Sequence, residues 1–145
     1  MALVEKSVLI EYSAAQMYAL VDDVAAYPQF LPWCGGAEVL GRDGNVTRAA
    51  ITIDFRGIRQ RFSTENRADA PNLIDMKLVE GPFRELDGSW RFKSLGEHAC
   101  KIEFRLHYEF SSKLLEKFVG PVFHYIANSF VDAFVKRAGQ LYGKP

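Results

Sequence analysis

The sequence predicts an α+β domain in which a curled, seven-stranded antiparallel sheet is crossed by one long C-terminal helix. Three observations carry this. Residues 37–110 read as strands separated by turn residues, with apolar and polar side chains alternating as they do in a sheet with one wet face. Residues 112–142 repeat apolar side chains every three or four positions, the period of a helix. No linker, internal repeat or low-complexity tract divides the 145 residues, so 1–145 reads as a single domain with one core. The dry face of such a sheet must be covered, and the C-terminal helix is the only element long enough to do it.

Taken in order, residues 3–12 place Val4, Val8, Ile10 and Tyr12 on one parity and form the first strand. Ser13 suits the N-cap of a short helix over 14–22, with Met17, Leu20 and Val21 on its apolar face. A second helical piece is expected over 23–31, started or broken by Pro28. A loop over 32–36 follows. Strands are expected over 37–42, 46–55, 58–68, 73–79 and 84–94, with hairpin turns at Asp43-Gly44-Asn45 and Gly57. The last strand alternates most cleanly: Ile102, Phe104, Leu106, Tyr108 and Phe110 point one way, and Lys101, Glu103, Arg105, His107 and Glu109 the other. On the helix, Leu115, Phe118, Val122, Ile126, Phe130, Phe134 and Leu141 form one apolar row, and Val119, Phe123, Ala127, Val131 and Val135 a second. His124, Asn128, Asp132 and Lys136 form its wet ridge, and Pro121 is expected to kink its first turns.

Composition narrows the function. Net charge is +0 and the pI is about 6.8, which argues against a broadly basic nucleic-acid platform but allows a local patch. Cys34 and Cys100 stand far apart with no metal spacing, as free thiols do in a reducing compartment. There is no leader-type stretch and no run of 18 apolar residues, so the chain is expected in the cytoplasm. No nucleophile elbow, zinc-protease, phosphate-loop or dinucleotide motif is present, and His98, His107 and His124 have no partner at metal spacing. No catalytic and no metal-ligating residues are therefore assigned, and an enzyme is not expected.

The 11 phenylalanines allow two outcomes: a filled core or an apolar chamber. The chamber candidates are Phe62, Met76, Leu78, Trp90, Phe104, Tyr108, Phe123, Ile126, Phe130 and Phe134, with Gln60, Thr64 and Asn66 as inward polar groups beside Tyr108. Tyr27, Phe30, Leu31 and Trp33 form an aromatic and aliphatic stretch bounded by Pro and Gly, either a gate over a chamber mouth or a plug in one end of the core. On strands 4 to 7, eight basic and six acidic residues face outward, a mixed face on which Arg59, Arg61, Arg91 and Lys93 are the candidates for a cluster.

The run from Tyr18 to Cys34, YALVDDVAAYPQFLPWC, resembles the signature of the coenzyme-Q-binding START family, which also includes a bacterial ribosome association toxin. Glu80-Gly81-Pro82-Phe83, Gly88-Ser89-Trp90-Arg91-Phe92, and Phe130 to Phe134 followed by Arg137-Ala138 are similar to its bacterial members. The resemblance spans nearly the whole chain and implies the helix-grip, START-like (SRPBCC) fold. It implies non-enzymatic binding of a hydrophobic small molecule, ubiquinone or a related isoprenoid quinone, in support of respiratory electron transport. The quinone would be a bound ligand rather than a required cofactor, with transient contact at the inner membrane. The alternative it implies is a toxin-type protein that binds the large (50S) ribosomal subunit and blocks subunit association and translation initiation. Arg59, Arg61, Arg91 and Lys93 are then the expected ribosome contacts.

Overall fold

The structure is a computed structural model that describes residues 2–144. Its elements are β1 (Ala2–Ile10), α1 (Ala14–Asp22), a 3-10 turn (Val24–Gln29), β2 (Cys34–Asp43), β3 (Val46–Phe55), β4 (Ile58–Asp69), β5 (Leu73–Glu80), β6 (Phe83–Gly96), β7 (Ala99–Phe110) and α2 (Lys113–Tyr142). The strands make one antiparallel sheet in the order β1-β7-β6-β5-β4-β3-β2. Strands 2 to 7 are a meander, and β1 closes against β7 with Val4 opposite Leu106. The chain thus has the helix-grip architecture that its alternation and its long helix predict.

Each helix starts where a side chain satisfies otherwise unpaired backbone N–H groups. Ser13 caps α1 through a reciprocal pair: the Gln16 N–H donates to Ser13 Oγ (3.1 Å) and the Ser13 N–H to Gln16 Oε1 (2.9 Å). Ser112 caps α2 by accepting from the Leu115 N–H at 3.1 Å. The α2 helix runs through Pro121 without a break. It packs Val119, Phe123, Ile126, Ala127, Val131, Phe134 and Ala138 onto the sheet.

Four expectations are corrected. The apolar face of α2 is centred on the second row of residues, so Phe118 and Leu141 from the first row are more than half exposed. The second helical piece is a six-residue 3-10 turn, which tolerates Pro28 within it because so short a turn has few ladder bonds to lose. β1 stops at Ile10; Tyr12 lies beyond it and donates its hydroxyl to the Gly143 carbonyl (2.8 Å), tying the first strand's exit to the last helix's end. β2 begins at Cys34, three residues early, because irregularities at Cys34/Gly36 and Val39/Gly41 break the alternation that would have marked it.

Candidate functional site

The space between sheet and helix is occupied mainly by rings. One group centres on Phe130, whose ring lies 5.1 Å from Phe134, 5.7 Å from Trp90, and 5.8 Å from both Phe104 and Trp33. A second centres on Phe123, 4.7 Å from Tyr108, 4.9 Å from Phe83 and 6.2 Å from Phe62. Between them a cavity of about 70 Å³ remains. Sites for drug-sized ligands hold about 300–1,000 Å³. The chamber in this conformation is closer to a filled core than to a quinone-sized vessel.

Of the predicted chamber residues, Phe62, Met76, Phe104, Phe123, Ile126 and Phe130 line this cavity. Leu78, Trp90, Tyr108 and Phe134 do not: Trp90 and Phe134 are fully buried in ring contacts, and Leu78 lies half-buried near the end of β5. The sequence reading missed Ala49, Ile51 and Ile53 of β3, which line the cavity on one parity of an otherwise well-placed strand. Thr64 and Asn66 are its polar wall, and the Thr64 hydroxyl donates to Asn66 Oδ1 at 2.9 Å. Gln60 is not part of the lining.

The expected gate is placed inside. Tyr27 (4% exposed), Leu31 (1%) and Trp33 (4%) are buried, and only Phe30 reaches the surface in part. The Tyr27 hydroxyl donates to the Val21 carbonyl oxygen, and burial pushes its pKa far above the ordinary value. In this conformation the segment plugs one end of the core. The plug is pinned further by the Asp54 N–H, which donates to the Trp33 carbonyl at 2.9 Å.

Burial raises the pKa of both thiols. Cys34 Sγ donates to the Gly36 carbonyl at 3.3 Å, and Cys100 is fully buried. The Tyr108 hydroxyl lies 3.1 Å from His124 Nδ1, a pairing that strand and helix periodicity did not reveal. Burial also raises the Tyr108 pKa, so the phenol keeps its proton; the direction of the hydrogen bond is set by the His124 tautomer. Among the described residues no three His, Cys, Asp or Glu side chains gather to hold a metal.

The four basic candidates do not form one cluster. Arg61 sits opposite Thr52 at one end of β4, whereas Arg91 sits opposite Leu73, which pairs with Asp69 at the other end. Eight residues of strand, about 27 Å, separate the two levels. Three are also charge-compensated: Arg59 by Asp54 (2.8 Å), Arg61 by Glu38 (2.7 Å) and Lys93 by Glu103 (2.8 Å).

The family described as "Polyketide cyclase / dehydrase and lipid transport" matches residues 10–135. The chain belongs to this family. Within the cyclase and lipid-transport family, it is 44% identical over 140 residues to a "Ribosome association toxin RatA" of Pseudomonas aeruginosa, covering 97% of each chain. It is 31% identical over 143 residues to the mitochondrial "Coenzyme Q-binding protein COQ10 homolog B" of Xenopus laevis, covering 96% of this chain and 59% of that one. Among solved structures, an 18 kDa protein from Caulobacter crescentus superposes with a TM-score of 0.75 at 33% identity, covering 99% of both chains.

Proposed function

We propose that this chain is a toxin-type ribosome-association protein that binds the large ribosomal subunit and hinders its joining with the small one. The observation that carries this reading is the 44% identity, end to end, with a protein named for ribosome association. The small size of the internal cavity is compatible with it, since docking through an outer surface requires no internal vessel. Such a protein works in the cytoplasm, where ribosomes are.

The test is co-sedimentation of the purified chain with separated subunits at low magnesium. The expected result is recovery with the large subunit, weakening as salt rises, and fewer joined ribosomes when magnesium is restored. Equal recovery with both subunits, or undiminished joining at saturating protein, sinks the reading.

Quinone binding is the second reading, and the apolar cavity against Thr64 and Asn66 is what favours it. At about 70 Å³ the cavity is small beside a tailed quinone, so this reading calls for the surrounding rings to part. It has a direct thermal signature, a rise in Tm with a short-tailed quinone.

A further inference from the structure

A second concavity lies outside the core, between the end of the plug segment and the outer face of α2, with a volume of about 420 Å³. Its α2 wall is built from Tyr125, Ser129, Ala133, Lys136, Arg137 and Gln140. These positions recur at three- and four-residue spacings, so they share one helix face, and the small Ser129 and Ala133 leave room above it. From Tyr125 to Gln140 this face runs about 22 Å. The opposite wall carries Gln29, Phe30, Pro32 and Phe55.

The chemistry of this groove differs from the rest of the surface. No carboxylate lines it. The Arg137 guanidinium is held by neutral amide oxygens, Gln29 Oε1 at 3.0 Å and Gln140 Oε1 at 3.4 Å, and lies over the Phe30 ring at 5.2 Å. At the groove's end the Phe55 and Tyr125 rings stack, 5.9 Å apart and 10° from parallel, and Tyr125 is half exposed. The Arg56 guanidinium sits 4.8 Å from the centroid of each ring. Among the described residues no ion pair involves Arg56, Lys136 or Arg137, a state they share with other surface Lys and Arg side chains. What sets the groove apart is a lining free of carboxylates, whereas other surface concavities carry Glu109 and Glu116, or Glu11. Of the nearby carboxylates, Asp54 is bound to Arg59, and Asp132 lies one turn before Lys136 outside the lining.

We infer that this groove binds single-stranded RNA, with a base stacked at Tyr125 and Arg56 and the sugar-phosphate strand running past Lys136 and Arg137. Unpaired cations along a track, with an exposed ring at one end and amides able to meet base edges, are the parts such a strand requires. Arginine stacked on an aromatic ring is already oriented, so it presents a flat cationic face to a base with little ordering still to be done. The net neutrality of the chain is no obstacle, because the compensating acids are distributed elsewhere. The inference rests on the ribosomal reading in that exposed single strands of ribosomal RNA are the expected occupant.

The experiment uses the full chain, a fluorescent 12-nucleotide oligoadenylate and purified large subunits, with Tm as the control for folding. Arg56→Ala with Lys136→Ala is expected to weaken oligonucleotide binding at least tenfold. It should also flatten the plot of log affinity against log salt, by about 0.7 for each phosphate no longer neutralised. Tyr125→Ala is expected to weaken binding about tenfold with the salt slope unchanged, the signature of a missing stacking ring. The same variants should lose recovery with the large subunit. Unchanged oligonucleotide affinity in these variants overturns the inference, as does equally tight, equally sensitive binding to phosphatidylglycerol vesicles or polyglutamate. Sedimentation with large subunits that is indifferent to the substitutions sinks the groove and leaves the ribosomal reading standing. Oligonucleotide binding with the expected sensitivities but no sedimentation does the reverse.

Discussion

The Tyr27 hydroxyl is buried with the Val21 carbonyl oxygen as its acceptor, and burial raises its pKa well above the ordinary 10. The folded chain therefore keeps this proton at pH values where the unfolded chain releases it. Above about pH 10 the unfolded state binds fewer protons than the native state, so stability falls as pH rises; below pH 10 the contribution is constant. The expected alkaline slope from one such group approaches about 1.4 kcal/mol per pH unit. Tyr27→Phe should lower stability by about 1 kcal/mol at pH 7 by removing the hydrogen bond, and should remove that share of the alkaline slope. Urea unfolding at pH 7 and pH 10.5 measures both, and an unchanged slope would show that the phenol is not held as described. The apolar character of Tyr27, Leu31 and Trp33 was legible in the sequence. Their direction was not: a loop has no period of 2 or 3.6 by which to assign a side. Arg56 and Tyr125 were missed for a related reason, because their stacking joins a hairpin tip to a distant helix and leaves no local spacing.

Regular alternation made most strands visible, and β3 and β7 fall where period-2 reading puts them. β2 was shortened where irregular register hid its first residues, and the buried face of α2 was rotated, because two adjacent apolar rows do not say which meets the sheet. The β5–β6 connection shows how little space such joints leave. Gly81 has φ +154°, and a Cβ there would lie 2.6 Å from Phe62 Cβ. Gly81→Ala therefore has to move either the turn or the β4 strand behind it, and is expected to destabilise by more than about 1 kcal/mol. Gly41→Ala is the matched control, since a Cβ there meets nothing within 4 Å, and should change stability by less than about 0.5 kcal/mol. Equal urea midpoints for the two variants would remove the steric argument.

At the scale of the molecule, the sequence could place the phenylalanines between sheet and helix but could not say whether they fill the space. That depends on how closely α2 approaches a curled sheet, a distance set by all the packed side chains together. The structure leaves about 70 Å³ there. Phe123 borders this cavity and is buried, so Phe123→Ala should join the space of a deleted ring to a cavity already present. A destabilisation of about 3–5 kcal/mol is expected, because the neighbouring rings belong to a stiff lattice and collapse only in part. Enlarged apolar cavities stay dry and accept small aromatics. Benzene should accordingly raise the Tm of Phe123→Ala and leave that of the parent chain unchanged. A short-tailed quinone extends the comparison. At a concentration one hundred times its Kd, a ligand bound to the native state alone contributes about 2.7 kcal/mol, or roughly 5–11 °C in a chain of this size. No shift in the parent chain is the outcome expected of a filled core. A shift of that size would mean that the rings part readily, and that the plug formed by Tyr27, Leu31 and Trp33 opens as a gate after all.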